Sequence, residues 1–160
     1  MSTPGNFTNG NTASFTEKYA GVSLPTSGAV FISVKNADKP RMIPLARALH
    51  ELGFRLVATK GTAAAIAEQG IPVAAVHKVQ EGRPHVVDLL KNGEIALVIN
   101  TVEDRRGAIV DSRSIRTTAL SQRVTFYTTL AGARAAIEGM RHLRELDVYS
   151  LQELHGALAA

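Results

Sequence analysis

Short apolar runs alternate with helical patterns along most of this chain, and that alternation restricts the possible folds more than any other feature of the sequence. The runs are apolar at successive positions rather than at every second one, which is typical of strands buried on both faces. Strands that alternate with helices indicate a parallel sheet covered by helices on both sides. The sequence therefore predicts an α/β domain of the Rossmann-like, three-layer α/β/α type with a five-stranded parallel sheet.

The segments with the composition of strands lie at 29–34, 54–58, 72–76, 95–99 and 123–127. Helices are predicted after a cap at Asp38, from an N-cap at Thr62, with Pro84 in a first turn, and over 112–120, 130–140 and 151–158. Residues 1–28 are instead rich in Ser, Thr, Asn and Gly and have no sustained apolar period, so they are predicted to be a tail or linker. The predicted domain occupies residues 29–160.

The 160 residues are enough for one hydrophobic core, and their composition excludes several classes of site. The chain has no cysteine, which excludes disulfides, thiolate metal sites and cysteine nucleophiles. Its net charge of +4 is not gathered in a Lys/Arg-rich run, so nucleic-acid binding is not expected. No segment is apolar over the ~20 residues of a membrane span and no signal-peptide pattern is visible, so we expect no membrane association and a cytoplasmic location.

Lysines, hydroxyl groups and one amide directly follow the predicted strands. In a parallel sheet these positions meet at the carboxyl edge, where α/β domains bind ligands near the point at which the strand order reverses. A phosphate group needs cations, hydrogen-bond donors and the N–H groups of a helix N-terminus, as Thr59-Lys60-Gly61-Thr62 provides. A site for a phosphorylated small molecule is therefore predicted from Lys35, Lys39, Thr59, Lys60, Gly61, Thr62, Lys78, Asn100, Thr101, Thr128 and Thr129.

Each of these residues also has an ordinary structural interpretation. Thr62 caps a helix, Lys60 is a solvated lysine, and Gly61 relieves a turn. The motif Thr-x-Gly-Thr is short and much less specific than a Walker A sequence. The agreement among several strand ends favours a ligand site over these alternatives.

A second polar cluster, between His77 and His85, lies in the loop after the third predicted strand and contains Lys78, Glu81 and Arg83. Histidine and glutamate suggest acid–base chemistry. No triad, carboxylate pair or metal-ligand spacing can be assembled from them, so neither a catalytic residue nor a metal site is predicted.

Arginines are concentrated between positions 105 and 123, where Glu103, Asp104 and Asp111 are interspersed with them. This mixed pattern is typical of a solvated surface rather than of a binding groove. The predicted loop over 104–107 is also placed to fold over a ligand. Arg106 is therefore a candidate secondary contact, together with Thr128 and Thr129.

From Ala29 to about Leu158 the chain resembles the carboxyl-terminal regulatory domain of the bacterial carbamoyl-phosphate synthetase large subunit. The most discriminating segment is Glu81-Gly82-Arg83-Pro84-His85. The other segments that carry the resemblance are Gly53-Phe54 with Ala58-Thr59-Lys60-Gly61-Thr62, Lys78-Val79-Gln80, Asn92-Gly93-Glu94, Val98-Ile99-Asn100-Thr101, Asp111-Ser112 with Ile115-Arg116, and Tyr127-Thr128-Thr129.

This resemblance implies a methylglyoxal-synthase-like fold and an allosteric domain that catalyses no reaction and holds no cofactor. It implies uridine monophosphate as an inhibitor and inosine monophosphate as a ligand of an overlapping site. The implied nucleotide contacts are Lys39, Thr59, Thr62, Lys78 and Asn100. The implied partners are the remaining domains of the large subunit and the glutaminase small subunit, in an ATP-dependent ligase of pyrimidine and arginine biosynthesis.

The sequence departs from the family pattern at three places. Val102 stands where the family often has a second threonine, and the loop through Arg106 is one residue longer. Phe126-Tyr127-Thr128 replaces a Tyr-Asp-Thr stretch, which removes a carboxylate partner for the ammonium group of the activator ornithine. Whether ornithine acts, and which of the two nucleotides is preferred, stay open at this point.

The alternative function is that of methylglyoxal synthase itself, a lyase that acts on dihydroxyacetone phosphate and shares the fold. That enzyme needs a carboxylate base in the loop after the third strand, following paired glycines. Arg83 occupies the equivalent position here, and Glu81 precedes the lone Gly82. The regulatory interpretation is therefore favoured over the lyase.

Overall fold

The computed structural model describes residues 24–103 and 106–159, so most of the predicted tail at 1–28 lies outside the described residues. Within that predicted tail, Leu24 packs against the hydrophobic core and lies close to Gly139. No helix among the described residues is long and apolar enough to cross a membrane.

One parallel sheet of five strands forms the centre of the domain. The strands are β1 (Ala29–Ser33), β2 (Arg55–Thr59), β3 (Ala74–Val76), β4 (Ile95–Asn100) and β5 (Thr125–Tyr127). Their order in the sheet is β3-β2-β1-β4-β5. β1 pairs with β2 on one side and with β4 on the other, where Ser33 lies beside Asn100, so the strand order reverses between β1 and β4. The predicted five-stranded parallel sheet is confirmed.

Helices follow the strands, and two short 3-10 turns precede α1 and α3, at Asn36–Asp38 and Val79–Glu81. The helices are α1 (Lys39–Glu51), α2 (Lys60–Glu68), α3 (Val86–Lys91), α4 (Arg106–Ser121) and α5 (Leu130–Ala159).

The core has two parts, one on each face of the sheet. Successive residues of a strand point to opposite faces, so Val30 and Ile32 belong to one part while Phe31 belongs to the other. The first part includes buried residues of α1, α2 and α5, and the second includes buried residues of α3 and α4. Both faces of β1 are thus covered, which explains why its sequence is apolar without alternation.

The predicted starts of α2 and α3 are wrong. α2 begins at Lys60 and has Thr59 as its N-cap residue, so Thr62 lies inside the first turn rather than at the cap. α3 begins at Val86 after His85, whose backbone N–H donates to the Asp88 carboxylate, so Pro84 precedes the helix. At α2 the Thr62 hydroxyl is bonded to the Val34 N–H of β1, and at α3 the cap is the local bond between His85 and Asp88.

The last two predicted helical regions are longer than expected. α4 begins at Arg106 rather than at Ser112, and its buried residues Ser112, Ile115 and Ala119 all follow a first turn that buries no side chain. The separate helices predicted over 130–140 and 151–158 are one helix, α5. The residues that join them, 141–150, contain no Gly or Pro, so no helix breaker interrupts the helix there.

Candidate functional site

A cavity of about 280 Å³ opens at the carboxyl edge of the sheet, where the strand order reverses between β1 and β4. We call it the edge pocket. Its walls come from the ends of β1, β2 and β4, the first turns of α1 and α2, the loop after β3 and the inner face of α4. Nine of the eleven residues predicted for the site line it: Lys35, Lys39, Thr59, Lys60, Gly61, Thr62, Lys78, Asn100 and Thr101.

Two buried threonines form the floor of the edge pocket beside β1. The Thr62 hydroxyl oxygen accepts the backbone N–H of Val34 at 3.3 Å, and the Thr59 hydroxyl lies 3.3 Å from both Thr62 Oγ1 and Ser33 Oγ. Thr59 and Thr62 are 4% and 2% exposed, so their positions are fixed by packing. Because a hydroxyl has one donor hydrogen in addition to its lone pairs, Thr62 keeps an O–H to donate to a ligand.

The N-terminus of α2 faces the same space. The Thr59 side chain makes no cap hydrogen bond, so the first-turn N–H groups of α2 are left for a ligand. The Lys39 ammonium lies over this turn, 3.1 Å from the position that a β-carbon on Gly61 would occupy. Positive charge from the lysine and the partial positive charge of the helix N-terminus therefore act at one place.

The β4 side of the edge pocket is held by side-chain hydrogen bonds. Asn100 donates its amide N–H to the Ser112 hydroxyl at 2.9 Å, and Thr101 accepts the backbone N–H of Lys35 at 3.0 Å. All three polar side chains are buried. These bonds fix the end of β4 to α4 and β1, so this wall is formed before a ligand arrives.

Lys78 and Glu81 bring the loop after β3 to the edge pocket. The Glu81 carboxylate accepts the backbone N–H of Lys78 at 2.9 Å and thereby holds the turn closed. Glu81 was considered for acid–base chemistry from the sequence, and the structure gives it this cap role at the rim.

Asp111 is a charged residue of the edge pocket that lies on α4. Its Oδ1 atom is buried and has no hydrogen-bond partner among the described residues. Burial raises the pKa of this carboxyl above its ordinary value, while the nearby Lys78 ammonium acts in the opposite direction. Asp111 Oδ1 is therefore an acceptor that lacks a donor.

Three residues predicted as secondary contacts are not among those that line the edge pocket. Arg106 and Gly107 are exposed residues of the first turn of α4, so the predicted loop is wrong at these two positions, and its residues 104 and 105 lie outside the described residues. Thr128 and Thr129 are exposed after the edge strand β5, and the Thr129 hydroxyl accepts the Gly132 N–H at 3.1 Å at the start of α5. The structure thus separates these three from the other predicted residues.

The sequence analysis missed several pocket residues as ligand contacts, namely Ser33, Asn36, Glu103, Asp111 and Ser112. Asp111 and Ser112 were overlooked because α4 was predicted to start at Ser112. The helix in fact starts at Arg106. One of its faces then contains, at helical spacing, Ala108, Asp111, Ser112 and Ile115. Asp111 and Ser112 can be identified from the sequence if small and polar residues, as well as apolar ones, are allowed on the inward face of the predicted helix.

The chemistry of the edge pocket suits an anion with hydrogen-bond donors elsewhere on the same molecule. Lys35, Lys39, Lys60 and Lys78 supply four positive charges, and Glu81, Glu103 and Asp111 supply three negative charges. Among the residues that the structure describes, no group of three His, Asp or Glu side chains is placed to share a metal ion.

Comparisons with known proteins agree with this geometry. The family model of the MGS-like domain matches residues 41–128. The carbamoyl phosphate synthase large chain of Ralstonia nicotianae is 62% identical over 139 residues, and that of Pasteurella multocida is 50% identical over 135 residues. These matches cover 87% and 84% of this chain but 13% of each relative, so the chain spans about an eighth of their length.

A solved structure shares the fold. Methylglyoxal synthase from Elizabethkingia anophelis superimposes with a TM-score of 0.53 at 18% sequence identity, covering 71% of this chain and 79% of that one. At that identity the likeness concerns the arrangement of strands and helices alone.

Proposed function

Because this chain belongs to the MGS-like domain family and matches part of the carbamoyl phosphate synthase large chain, we propose that it is a regulatory domain that binds a nucleoside monophosphate in the edge pocket. Bound ligand regulates the larger enzyme by favouring one of its conformations, which requires different affinities for the two states. The proposed ligands are uridine monophosphate, an inhibitor, and inosine monophosphate at the same site. The domain itself performs no chemical step.

The observation that carries this proposal is the position of the Lys39 ammonium over the N-terminus of α2. The lysine, the first turn of α2 and Thr62 all line the edge pocket. A phosphate monoester placed there receives a charge-assisted hydrogen bond from each, worth about 1.5–3 kcal/mol apiece. Phosphate is therefore the group that this end of the edge pocket fits best.

The other end of the edge pocket favours a nucleoside over a longer phosphate chain. Asp111 Oδ1 is a buried acceptor without a donor, and a ribose hydroxyl or a base N–H supplies one. A second or third phosphate directed towards Asp111 would instead meet a negative charge. The cavity of about 280 Å³ lies near the lower end of the roughly 300–1,000 Å³ typical of small-molecule sites, as suits a monophosphate.

The wider context is part of the same proposal. The relatives are several times longer than this chain, so the partners that receive the signal are the remaining domains of the large chain and the glutaminase small subunit. We place the parent ATP-dependent ligase in the cytoplasm, in pyrimidine and arginine biosynthesis.

Isothermal titration calorimetry with uridine monophosphate, inosine monophosphate, inorganic phosphate and ornithine tests the proposal. We expect at least one nucleotide to bind more tightly than inorganic phosphate, and Thr62→Ala to weaken that binding at least tenfold. Thr62→Ser, which keeps the hydroxyl, is the matched control and is expected to bind within about threefold of the unaltered protein. Absence of heat with both nucleotides, or unchanged affinity in Thr62→Ala, overturns the assignment.

Incubation with dihydroxyacetone phosphate tests the lyase alternative on the same protein. Formation of methylglyoxal that is abolished by Glu81→Gln, Glu103→Gln or Asp111→Asn would replace the regulatory function by a catalytic one, because these carboxylates line the edge pocket and can act as a base there. We expect no turnover.

A further inference from the structure

α4 presents an unusual outer face. Its inward positions Ser112, Ile115 and Ala119 are buried, as on any helix that packs on a sheet. The exposed face of such a helix is normally polar. Here Ile109, Val110 and Leu120 are 49%, 56% and 67% exposed, so large apolar side chains stand in solvent on the side that faces away from the sheet.

A shallow groove of about 370 Å³ runs along this face, lined by Val102, Ile109, Ser112, Arg113, Arg116, Thr117 and Leu120. We call it the outer α4 groove. Arg113 and Arg116 lie between its apolar ends, and neither forms an ion pair with a carboxylate that the structure describes. The Arg116 guanidinium lies 5.4 Å from the centroid of the Phe126 ring, which holds it at the groove.

The charge on this face has one sign. No Asp or Glu occupies an exposed position of α4, because Asp111, its acidic residue, is turned towards the edge pocket. The two arginines have no carboxylate partners among the described residues, and the apolar side chains beside them are exposed. A ligand that has both carboxylates and apolar groups would complement this surface best. The combination of arginines with exposed Ile and Leu also distinguishes this surface from a phosphate-binding patch, because apolar side chains do not contribute to binding phosphate.

We propose that the outer α4 groove docks an acidic amphipathic helix of another polypeptide segment. Ile109 and Leu120 are eleven residues apart, which is about 16 Å along a helix and matches three turns of a partner helix. Leucine-like side chains of the partner pack on the two apolar ends. Its glutamates or aspartates pair with Arg113 and Arg116 between them.

The docking surface and the edge pocket share part of one wall. Val102 and Ser112 line both cavities, and Asn100 donates to the same Ser112 hydroxyl. A ligand that shifts Ser112 or Val102 thereby alters the surface that the partner meets. This coupling rests on the proposed function. Thermodynamic linkage requires it to be reciprocal: the bound partner changes the affinity for the ligand by the same factor as the bound ligand changes the affinity for the partner.

The test uses a fluorescein-labelled synthetic peptide of about 18 residues, with Leu at helical spacing on one face and Glu on the flanking positions, titrated by fluorescence anisotropy. We expect saturable binding to this chain. Arg113→Glu/Arg116→Glu and, separately, Leu120→Ser weaken it at least tenfold. Arg134→Glu, an exposed arginine on α5, is the matched control and changes affinity less than twofold. Circular dichroism melts establish that all variants remain folded.

Equal affinity of the two groove variants and the control overturns the docking proposal, as does an absence of peptide binding. A peptide in which Ser replaces every Leu, or a 20-base-pair DNA duplex, must bind at least tenfold more weakly, and equal binding by either shows an unspecific basic surface instead.

Saturating uridine monophosphate is expected to change peptide affinity at least twofold. Unchanged affinity, with nucleotide binding verified by calorimetry, overturns the coupling. If the nucleotide fails to bind while the peptide binds, the proposed function has failed and the docking surface stands.

Discussion

The ammonium group of Lys39 lies 3.1 Å from the position that a β-carbon on Gly61 would occupy. α1 and α2 therefore meet closely at the edge pocket, and a side chain at the second residue of α2 would push the flexible end of the lysine away by a few tenths of an ångström. The restriction at Gly61 is one of space, since its backbone is not in the left-handed region.

Gly61→Ala is expected to displace the flexible end of Lys39 and weaken nucleoside monophosphate binding about tenfold, or ~1.4 kcal/mol. Stability should stay equal or rise by up to about 1 kcal/mol, because Ala is the better helix former. Calorimetry and urea denaturation measure the two effects. Gly156→Ala, where nothing lies within 4 Å of the added carbon, is the control and should bind normally. Normal binding by Gly61→Ala would contradict this role of Lys39.

Thr62→Val keeps the shape of the buried side chain but removes the acceptor of the Val34 N–H. An unsatisfied buried N–H costs about 1–3 kcal/mol, so the free energy of unfolding should fall by that amount. Thr62→Ser loses one methyl group, worth about 0.8 kcal/mol, and keeps the hydrogen bond. Urea denaturation compares both variants with the unaltered protein, and a Val variant as stable as the unaltered protein would show that the hydroxyl contributes nothing to stability.

Asp88 and Asp111 are expected to titrate on opposite sides of the ordinary aspartate pKa of 3.8. The hydrogen bond from the His85 backbone lowers the pKa of Asp88, whereas burial raises the pKa of Asp111. Carbon-13 NMR of the carboxyl groups against pH measures both values. Coincident titration of the two groups would contradict the environments described above.

The raised pKa of Asp111 has a consequence for stability. The folded state binds this proton more tightly than the unfolded state, so the ionised form disfavours folding once pH rises above the folded pKa. Asp111→Asn should therefore unfold at a higher temperature than the unaltered protein at pH 7. The difference should shrink as pH falls through the raised folded pKa towards 3.8. Thermal unfolding at pH 7 and pH 4 tests this, and a difference that grows at acid pH would have the wrong sign.

Thr129→Ala is expected to lower stability by about 1 kcal/mol and leave nucleotide affinity unchanged. Its hydroxyl accepts the Gly132 N–H at the start of α5, and it does not line the edge pocket. The neighbouring Thr128→Ala is the matched control, since its side chain has no such bond among the described residues, and it should change neither quantity. A loss of nucleotide affinity in either variant would show that the threonine contacts the ligand after all.

Much of the fold follows from the sequence because the strands are buried on both faces. Runs such as 95–99 have no amphipathic helical period, so a parallel α/β sheet was predictable, and the resemblance to the carbamoyl-phosphate synthetase domain is confirmed at 62% identity to one relative. The candidate site was predictable to the same extent, since residues that follow parallel strands share an edge.

Helix boundaries and the α4 wall of the edge pocket could not be predicted in the same way. Whether Thr59 or Thr62 caps α2 depends on the Val34 N–H, which lies 28 positions away from Thr62. The first residues of α4 bury nothing in the core, because Ala108 and Asp111 line the edge pocket while Ile109 and Val110 are exposed. Local patterns do not record such contacts, so Asp111 and Ser112 were missed.

Lys35 and Thr101 are 66 positions apart, and the hydrogen bond between them closes the edge pocket where β1 meets β4. During synthesis on the ribosome, the first wall of the edge pocket emerges before the second. The first wall belongs to β1, α1, β2 and the start of α2, and the second belongs to β4 and α4. Only after β4 and α4 have joined β1 can a ligand find both walls. A fragment that ends before Asn100 therefore has one wall of the edge pocket and lacks the other.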